Sequence, residues 1–171
     1  MRTPFRLAPA ITVLVLTCAG AACESSSVPT TKRGVSTAFH PAADELRQFI
    51  GEKLAQGRDE ATHDSDAADA RRMLADLRPK AKTDGDRNVV LLLAMLMSKD
   101  NERLNLQFMA RKGGVKYEMV QSDIATLYQA REVCSAELLA WLGRTSTDLR
   151  VLERGPCLLE AQQAAAAILG K

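Results

Sequence analysis

The sequence contains few aromatic residues and few histidines. Aromatic side chains make up 4% of its 171 residues, and only two histidines are present, His40 and His63. Runs of β-branched residues are nearly absent after position 20, whereas Ala, Leu, Arg, Glu and Gln are plentiful. Because the plentiful residues favour helices and the scarce ones favour strands, the composition predicts an all-α fold.

The sequence also lacks the common catalytic motifs. It has no GxSxG, no HExxH and no glycine-rich phosphate loop, and we interpret KGGVK at 112–116 as a helix end followed by a turn. Both histidines fall at predicted helix ends beside linkers, whereas a general base must be held in a pocket. Glu118, Glu132 and Glu137 share one predicted helix, where glutamates usually face solvent. We therefore expect no catalytic residue and no enzymatic activity. A cell-wall enzyme with a carboxylate site is an open alternative.

One acidic stretch is the best candidate for a metal site. Residues 59–69 read DEATHDSDAAD, which surrounds His63 with five acidic side chains. Carboxylates and imidazoles are common metal ligands, but this stretch lacks the glycine and the final glutamate of an EF-hand loop and has no second histidine. Acids at a helix start also complement the helix dipole. We therefore predict a solvated helix start, with no metal ion and no cofactor.

No apolar run in the sequence reaches the roughly 20 residues that a membrane-spanning helix needs. The run at 7–17 has the length of a secretory signal, and Arg2 and Arg6 supply the positive charge that accompanies such a run. The residues AGAAC follow at 19–23 and resemble the lipobox of bacterial lipoproteins. The resemblance implies cleavage before Cys23 and attachment of a diacylglyceryl group, with fatty acyl chains such as palmitate, to that residue. It also implies a location in the cell envelope, on the extracytoplasmic side of a bacterial membrane.

The four cysteines agree with this interpretation. If Cys23 is lipidated and Cys18 leaves with the signal peptide, Cys134 and Cys157 remain as an even pair. In an oxidising compartment such as the periplasm we expect them to form a disulfide, which closes a loop of about 23 residues and stabilises the domain by roughly 3 kcal/mol. Two buried thiols that never meet are the alternative. Cleavage after Ala21, which leaves three cysteines, and a retained membrane anchor are the alternatives to lipidation.

The processed chain would carry no net charge. Arg2 and Arg6 account for the formal charge of +2, so their removal leaves a balance that argues against nucleic-acid binding and against strong attraction to anionic lipid headgroups. We expect three parts: a lipoprotein signal peptide at 1–22, a flexible tether at 23–38 and a single helical domain at 39–171. The tether consists of small polar residues, which give it a mean reach of about 20–25 Å.

Apolar periodicity predicts five or six helices with short connections. The first helix opens at His40 and Pro41 and stops at Gly57. The second starts within 62–65 and ends before Pro79. Helices in this arrangement bury their apolar faces against one another, so we predict a compact helical bundle.

The run at 89–97, VVLLLAMLM, is apolar on every side. Such a segment is typical of a buried central helix, and although a buried strand has the same pattern, the Leu, Met and Ala content favours the helix. A break or kink is predicted at 99–101. One long helix then runs over about 116–143. A short helix after 145–148 and an Ala-rich helix at 157–169 complete the bundle.

The predicted long helix carries a candidate contact site. Apolar residues recur along it at steps of four and three, the spacing of one buried face, and Arg131 interrupts that row. Its guanidinium needs water or an acidic partner. We predict an internal salt bridge to Glu153 or Glu160. The alternative is a contact site for a partner or ligand, formed by Arg131 with Tyr128 and Trp141.

A second resemblance concerns the C-terminal third of the chain. The segments YQAREVC at 128–134 and CLLEAQQAAAAIL at 157–169 are similar to the C-terminal half of small bacterial lysozyme-inhibitor-like domains, which are helical and secreted. The resemblance implies a protein partner in the envelope.

The favoured hypothesis is therefore a membrane-anchored envelope lipoprotein with a non-catalytic helical domain that binds a protein partner. The alternative to this function is a small-ligand-binding bundle with a pocket between the helices that bear methionines. Methionines can line an adaptable groove, but they also fill irregular helical cores. The five in question are Met73, Met95, Met97, Met109 and Met119.

Overall fold

The computed structural model describes residues 28–169 and is built mainly of helices. Six α-helices and two 3₁₀ turns occur in this range, which contains no β-strand. The helices are α1 (His40–Glu52), α2 (Glu60–Leu77), α3 (Asp84–Arg111), α4 (Tyr117–Trp141), α5 (Leu149–Leu152) and α6 (Pro156–Leu169), with 3₁₀ turns at Leu54–Gln56 and Arg78–Lys80. The predicted all-α bundle of five to six helices is confirmed.

The predicted signal peptide at 1–22 and the lipidation residue Cys23 lie outside the described residues. Between residues 28 and 169, none of the helices combines the length and the apolar character that crossing a membrane requires.

Side-chain caps set where the helices begin. The Asp59 carboxylate accepts a hydrogen bond from the Thr62 N–H at 2.9 Å, so α2 begins at Glu60, earlier than the predicted start within 62–65. At the start of α3, Thr83 and Asp86 form a reciprocal capping box. Local hydrogen bonds of this kind satisfy N–H groups that the first helical turn leaves without partners.

The longest helix is α3, and the predicted break at 99–101 is wrong. α3 is continuous over 28 residues, because each polar side chain at the expected break finds a partner on another helix. Lys99 Nζ lies 2.5 Å from a carboxylate oxygen of Glu160 on α6, and the Asn101 amide oxygen lies 2.9 Å from His63 Nε2 on α2. The Asp100 carboxylate forms a salt bridge with Arg131 on α4. The predicted helix over about 116–143 is confirmed as α4, which is 25 residues long.

The apolar run at 89–97 forms the middle of the core, as predicted for a buried central helix. Val89, Leu92 and Leu93 are completely buried, and α3 packs against α1, α2, α4 and α6. Burying a leucine or valine side chain stabilises the fold by roughly 1.5–3 kcal/mol. The apolar face of α3 therefore organises the bundle.

The N-terminal segment, defined here as residues 28–39, packs onto the bundle. Val35 and Phe39 are buried, and the Ser36 N–H and hydroxyl donate to the Asp86 carboxylate at 2.7 and 2.9 Å. A Cβ on Gly85 would lie 2.5 Å from the Gly34 carbonyl carbon, so the close approach of segment and helix requires a glycine. The predicted domain boundary at residue 39 is therefore too late, because the packed domain already includes Val35 and Ser36.

The predicted cysteine pair is also present. The Cys134 and Cys157 sulfur atoms are 1.99 Å apart and their Cα atoms 5.2 Å apart, which is a disulfide between α4 and the first turn of α6.

Candidate functional site

Four large apolar side chains are exposed along α4. Tyr117 is 52% exposed, Met119 72%, Tyr128 54% and Val133 43%. We call these four residues the α4 outer surface. Tyr117 and Tyr128 are eleven residues apart, and Met119 and Val133 fourteen, so at 3.6 residues per turn each pair lies on one side of the helix. Tyr117 and Tyr128 lie along one edge of the solvent-facing side of α4, and Met119 and Val133 lie along the other edge.

The first half of α4 is exposed because few elements cover it. Its buried apolar residues are Val120 and Ile124, whereas the second half buries Cys134, Leu138 and Trp141. The second half is covered by α6, whose first turn carries the cystine partner of α4. Three of the four outer-surface residues, Tyr117, Met119 and Tyr128, therefore lie where α4 packs mainly on α3.

A buried ionic cluster lies between α3 and α4. Asp100 is completely buried, and its carboxylate accepts from Arg131 Nε at 3.2 and 3.3 Å and from an Arg103 guanidinium nitrogen at 3.2 Å. Arg131 also donates to Glu132 at 2.6 Å. Burial alone would lower the pKa of Arg131, but the charges of Asp100 and Glu132 raise it, so the guanidinium stays protonated.

The predicted partner of Arg131 was wrong. Its salt bridges are to Asp100 and Glu132, and neither Glu153 nor Glu160 takes part. The guanidinium of Arg103 in the same cluster also donates to the Ala55 carbonyl at 2.9 Å. The cluster therefore links α3 to α4 and to the first 3₁₀ turn. This is a structural role, because cationic partners offset the cost of burying a carboxylate.

The three candidate contact residues of the sequence do not converge. Tyr128 is exposed, Arg131 is largely occupied by Asp100 and Glu132, and Trp141 is only 3% exposed and packs in the core. Trp141 lies nearly three turns beyond Arg131 and is the last residue of α4. Of the three residues, Tyr128 alone offers a large surface to a partner.

Glu137 faces the interior, although glutamates on such a helix usually face solvent. Its two carboxylate oxygens accept from the backbone N–H groups of Cys157 and Leu158, each at 3.0 Å. The side chain of α4 thus caps the N-terminus of α6, where a negative charge is favoured by the helix dipole. A Cβ on Gly155 would collide with this carboxylate. In the sequence, the Gly-Pro pair at 155–156 marks the start of α6. The side chain that caps this helix, Glu137, lies 20 residues before Cys157 and is not indicated by the pair.

The acidic stretch at 59–69 is a helix start. Asp59 caps α2, and hydrogen bonds from the Thr62 backbone and hydroxyl lower its pKa. His63 is buried, with its ring 5.6 Å from that of Phe108 and Nε2 bonded to Asn101. No group of three or more potential metal-ligating side chains converges within residues 28–169.

The methionines do not share a single groove. Met97 is buried, Met73 and Met95 are partly buried, and Met109 and Met119 are exposed. A cleft of about 220 Å³ lies between α2 and α3, and Met97 forms part of its apolar floor. Its polar side chains are Arg71, Ser98 and Asn101.

The chain matches no protein-family model, no curated protein and no solved structure. A function must therefore be argued from the residues described above.

Proposed function

We propose that this protein is an envelope lipoprotein, anchored through Cys23, whose non-catalytic helical domain binds a protein partner through the α4 outer surface. The observation that carries the proposal is the exposure of Tyr117, Met119, Tyr128 and Val133 on one helix. Tyrosine and methionine are enriched at protein interfaces, where they bury large areas of adaptable surface.

The anchor is supported by the N-terminal sequence and by the cysteines. The segment AGAAC ends at Cys23, and Cys134 and Cys157 form a disulfide of the kind found in proteins of oxidising compartments. Intact-mass analysis of the membrane-bound protein should give a chain that starts at Cys23 and carries acyl groups. Uptake of labelled fatty acid by a Cys23→Ala variant would contradict lipidation at this residue.

Capture from an envelope extract tests the partner-binding surface. The bait is the chain from residue 24, as wild type, as the α4 double variant Met119→Asp and Tyr128→Asp, or as a control double variant, Gln48→Asp and Ala68→Asp, on α1 and α2. All four positions are exposed, so the variants should fold. We expect the wild type and the control to retain the same protein and the α4 double variant to lose it. Equal retention by all three baits, or enrichment of nothing, would contradict the proposal.

A second candidate function is binding of a small ligand in the cleft between α2 and α3. The cleft combines an apolar floor with the cationic side chain of Arg71, which suits an apolar molecule that carries an anionic group. The fluorescent probe anilinonaphthalene sulfonate has this chemistry. If the cleft binds such ligands, the probe should bind to the wild type and should not bind to Ser98→Trp, in which an exposed residue at the cleft is enlarged.

A further inference from the structure

The packed N-terminal segment brings the anchor close to one end of the bundle. Val28 is the first described residue and Cys23 lies five residues before it, a stretch that spans at most about 18 Å when fully extended. From Thr31 onward the chain is held by backbone hydrogen bonds, including Thr31 N–H to the Val35 carbonyl at 2.7 Å. If Cys23 is lipidated as proposed, the bilayer therefore faces the end of the bundle where this segment packs.

Three connections identify that end. Arg33 donates to the backbone carbonyls of Thr145 and Thr147 at 2.5 and 3.1 Å. Ser36 donates to Asp86 in the first turn of α3, and His40 Nε2 lies 2.8 Å from the Leu142 carbonyl at the end of α4. We call this end, made by residues 28–45, 78–87 and 142–154, the tether end.

The tether end is rich in basic residues. Its three stretches contain nine lysines and arginines and six acids. Two of the acids are already engaged: Asp86 holds Ser36, and Asp44 forms salt bridges with Arg47 and with Arg144, which is one of the nine cations. Exposed cations include Lys32, Arg78, Lys80, Lys82, Arg150 and Arg154.

The opposite end of the bundle has the reverse balance. α3 is 28 residues long, so its two ends are about 42 Å apart at 1.5 Å per residue. At the far end, Glu60 forms a salt bridge with Lys112, which places the acidic stretch 57–69 beside the tip 109–118. These two stretches together contain four lysines and arginines and six acids.

We infer that the tether end of the domain lies against an anionic phospholipid surface, with Lys32, Lys80 and Lys82 at the headgroups and the acidic end of α2 directed away from the bilayer. The inference rests on the proposed anchor. Anionic lipids attract basic residues over about one Debye length, roughly 8 Å at physiological salt, and a short tether keeps the tether end within reach. The zero net charge of the processed chain does not oppose this orientation, because the two ends differ in charge. The exposed Tyr117 and Met119 then stand at the end remote from the lipid.

Lysine labelling on vesicles tests the orientation. The chain 23–171 with its disulfide intact has one free thiol, Cys23, which can be coupled to a maleimide lipid in phosphatidylcholine vesicles with or without phosphatidylglycerol. A water-soluble acylating reagent then labels exposed lysines, and mass spectrometry gives the rate at each. We expect Lys32, Lys80 and Lys82 to react severalfold more slowly when phosphatidylglycerol is present, and high salt to remove the difference.

Exposed lysines elsewhere on the domain serve as internal controls. Lys53, Lys112 and Lys116 should react equally fast on both kinds of vesicle. Equal rates at all six lysines, or protection of Lys112 and Lys116 instead, would overturn the inference. Because the anchor is attached chemically in this experiment, such a result would leave lipidation of Cys23 to be judged separately by intact mass.

Discussion

Asp86 should be the residue that holds the N-terminal segment on the bundle. Its carboxylate is completely buried and accepts four hydrogen bonds, two of them from Ser36 and the others from the backbone N–H groups of Lys82 and Thr83 at 3.0 and 3.1 Å. Burial alone would raise the pKa of Asp86, but these donors hold it below its ordinary value of 3.8. The side chain is therefore ionised at neutral pH.

Substitution of either partner should be costly, and the two costs should be coupled. Hydrogen bonds to a charged group contribute about 1.5–3 kcal/mol each. Asp86→Asn removes the charge and turns an amide NH₂ toward groups that donate, so we expect the free energy of unfolding to fall by about 3 kcal/mol. Ser36→Ala removes one of the four bonds and should cost about 1.5 kcal/mol. The double variant should lose less stability than the sum of the losses in the two single variants.

Urea titration measures the global effect, and limited trypsin digestion measures release of the segment. Lys32 and Arg33 are trypsin sites, and Arg33 is held by two backbone carbonyls. We expect cleavage at these residues to be at least about tenfold faster in Asp86→Asn, which corresponds to loss of roughly 1.4 kcal/mol of local stability. Unchanged cleavage, or costs that add within about 0.5 kcal/mol, would refute the coupling of Ser36 to Asp86.

The same substitution makes a prediction about pH. Because the folded pKa of Asp86 is lowered, its contribution is complete above about pH 5 and is lost as the pH falls through the folded pKa. The stability difference between wild type and Asp86→Asn should therefore shrink below pH 4, as measured by urea titrations across that range. A constant difference would show that the charge is not what stabilises the contact.

Three further changes test other parts of the fold. Replacing Cys134 and Cys157 by serine should lower the free energy of unfolding by about 3 kcal/mol in urea, because the disulfide closes a 23-residue separation; an unchanged midpoint would argue against this. Glu137→Gln should cost about 2 kcal/mol, since two buried N–H groups lose a charged acceptor, and hydrogen exchange should quicken first at the start of α6. Asp44→Asn should cost about 1 kcal/mol at neutral pH. Burial alone would raise the pKa of Asp44, but two arginine guanidiniums lower it below 3.8, so this cost should shrink as the pH falls below about 4, and a cost that does not change with pH would count against the assignment.

Much of the fold could be predicted from local sequence patterns. The apolar run at 89–97 and the row of apolar residues on α4 depend on helical periodicity alone, and both helices are present. The even pair of cysteines likewise required no knowledge of the fold. These features could be predicted because each depends on neighbours in the sequence or on simple counting.

The remaining features depend on partners that are distant in the chain. Three polar residues at 99–101 suggest a break, yet α3 continues because Glu160, Arg131 and His63 supply their partners. The residues around Ser36 have the composition of a flexible tether, because the side chain that binds them, Asp86, lies 50 residues away in the chain. The contact site could not be predicted for the same reason, since the exposure of Tyr128 and the burial of Trp141 depend on how α4 packs in the folded chain.

Glu137 also bears on how the two cysteines find each other. It stands one helical turn from Cys134 on α4, and it binds the backbone N–H of Cys157 itself. Because these hydrogen bonds do not require the disulfide, we expect the carboxylate to hold the reduced thiols close together, so that oxidation joins two cysteines that are already neighbours. A chain in which position 137 cannot accept those N–H groups would oxidise more slowly, and its thiols would stay open for longer to exchange with other proteins.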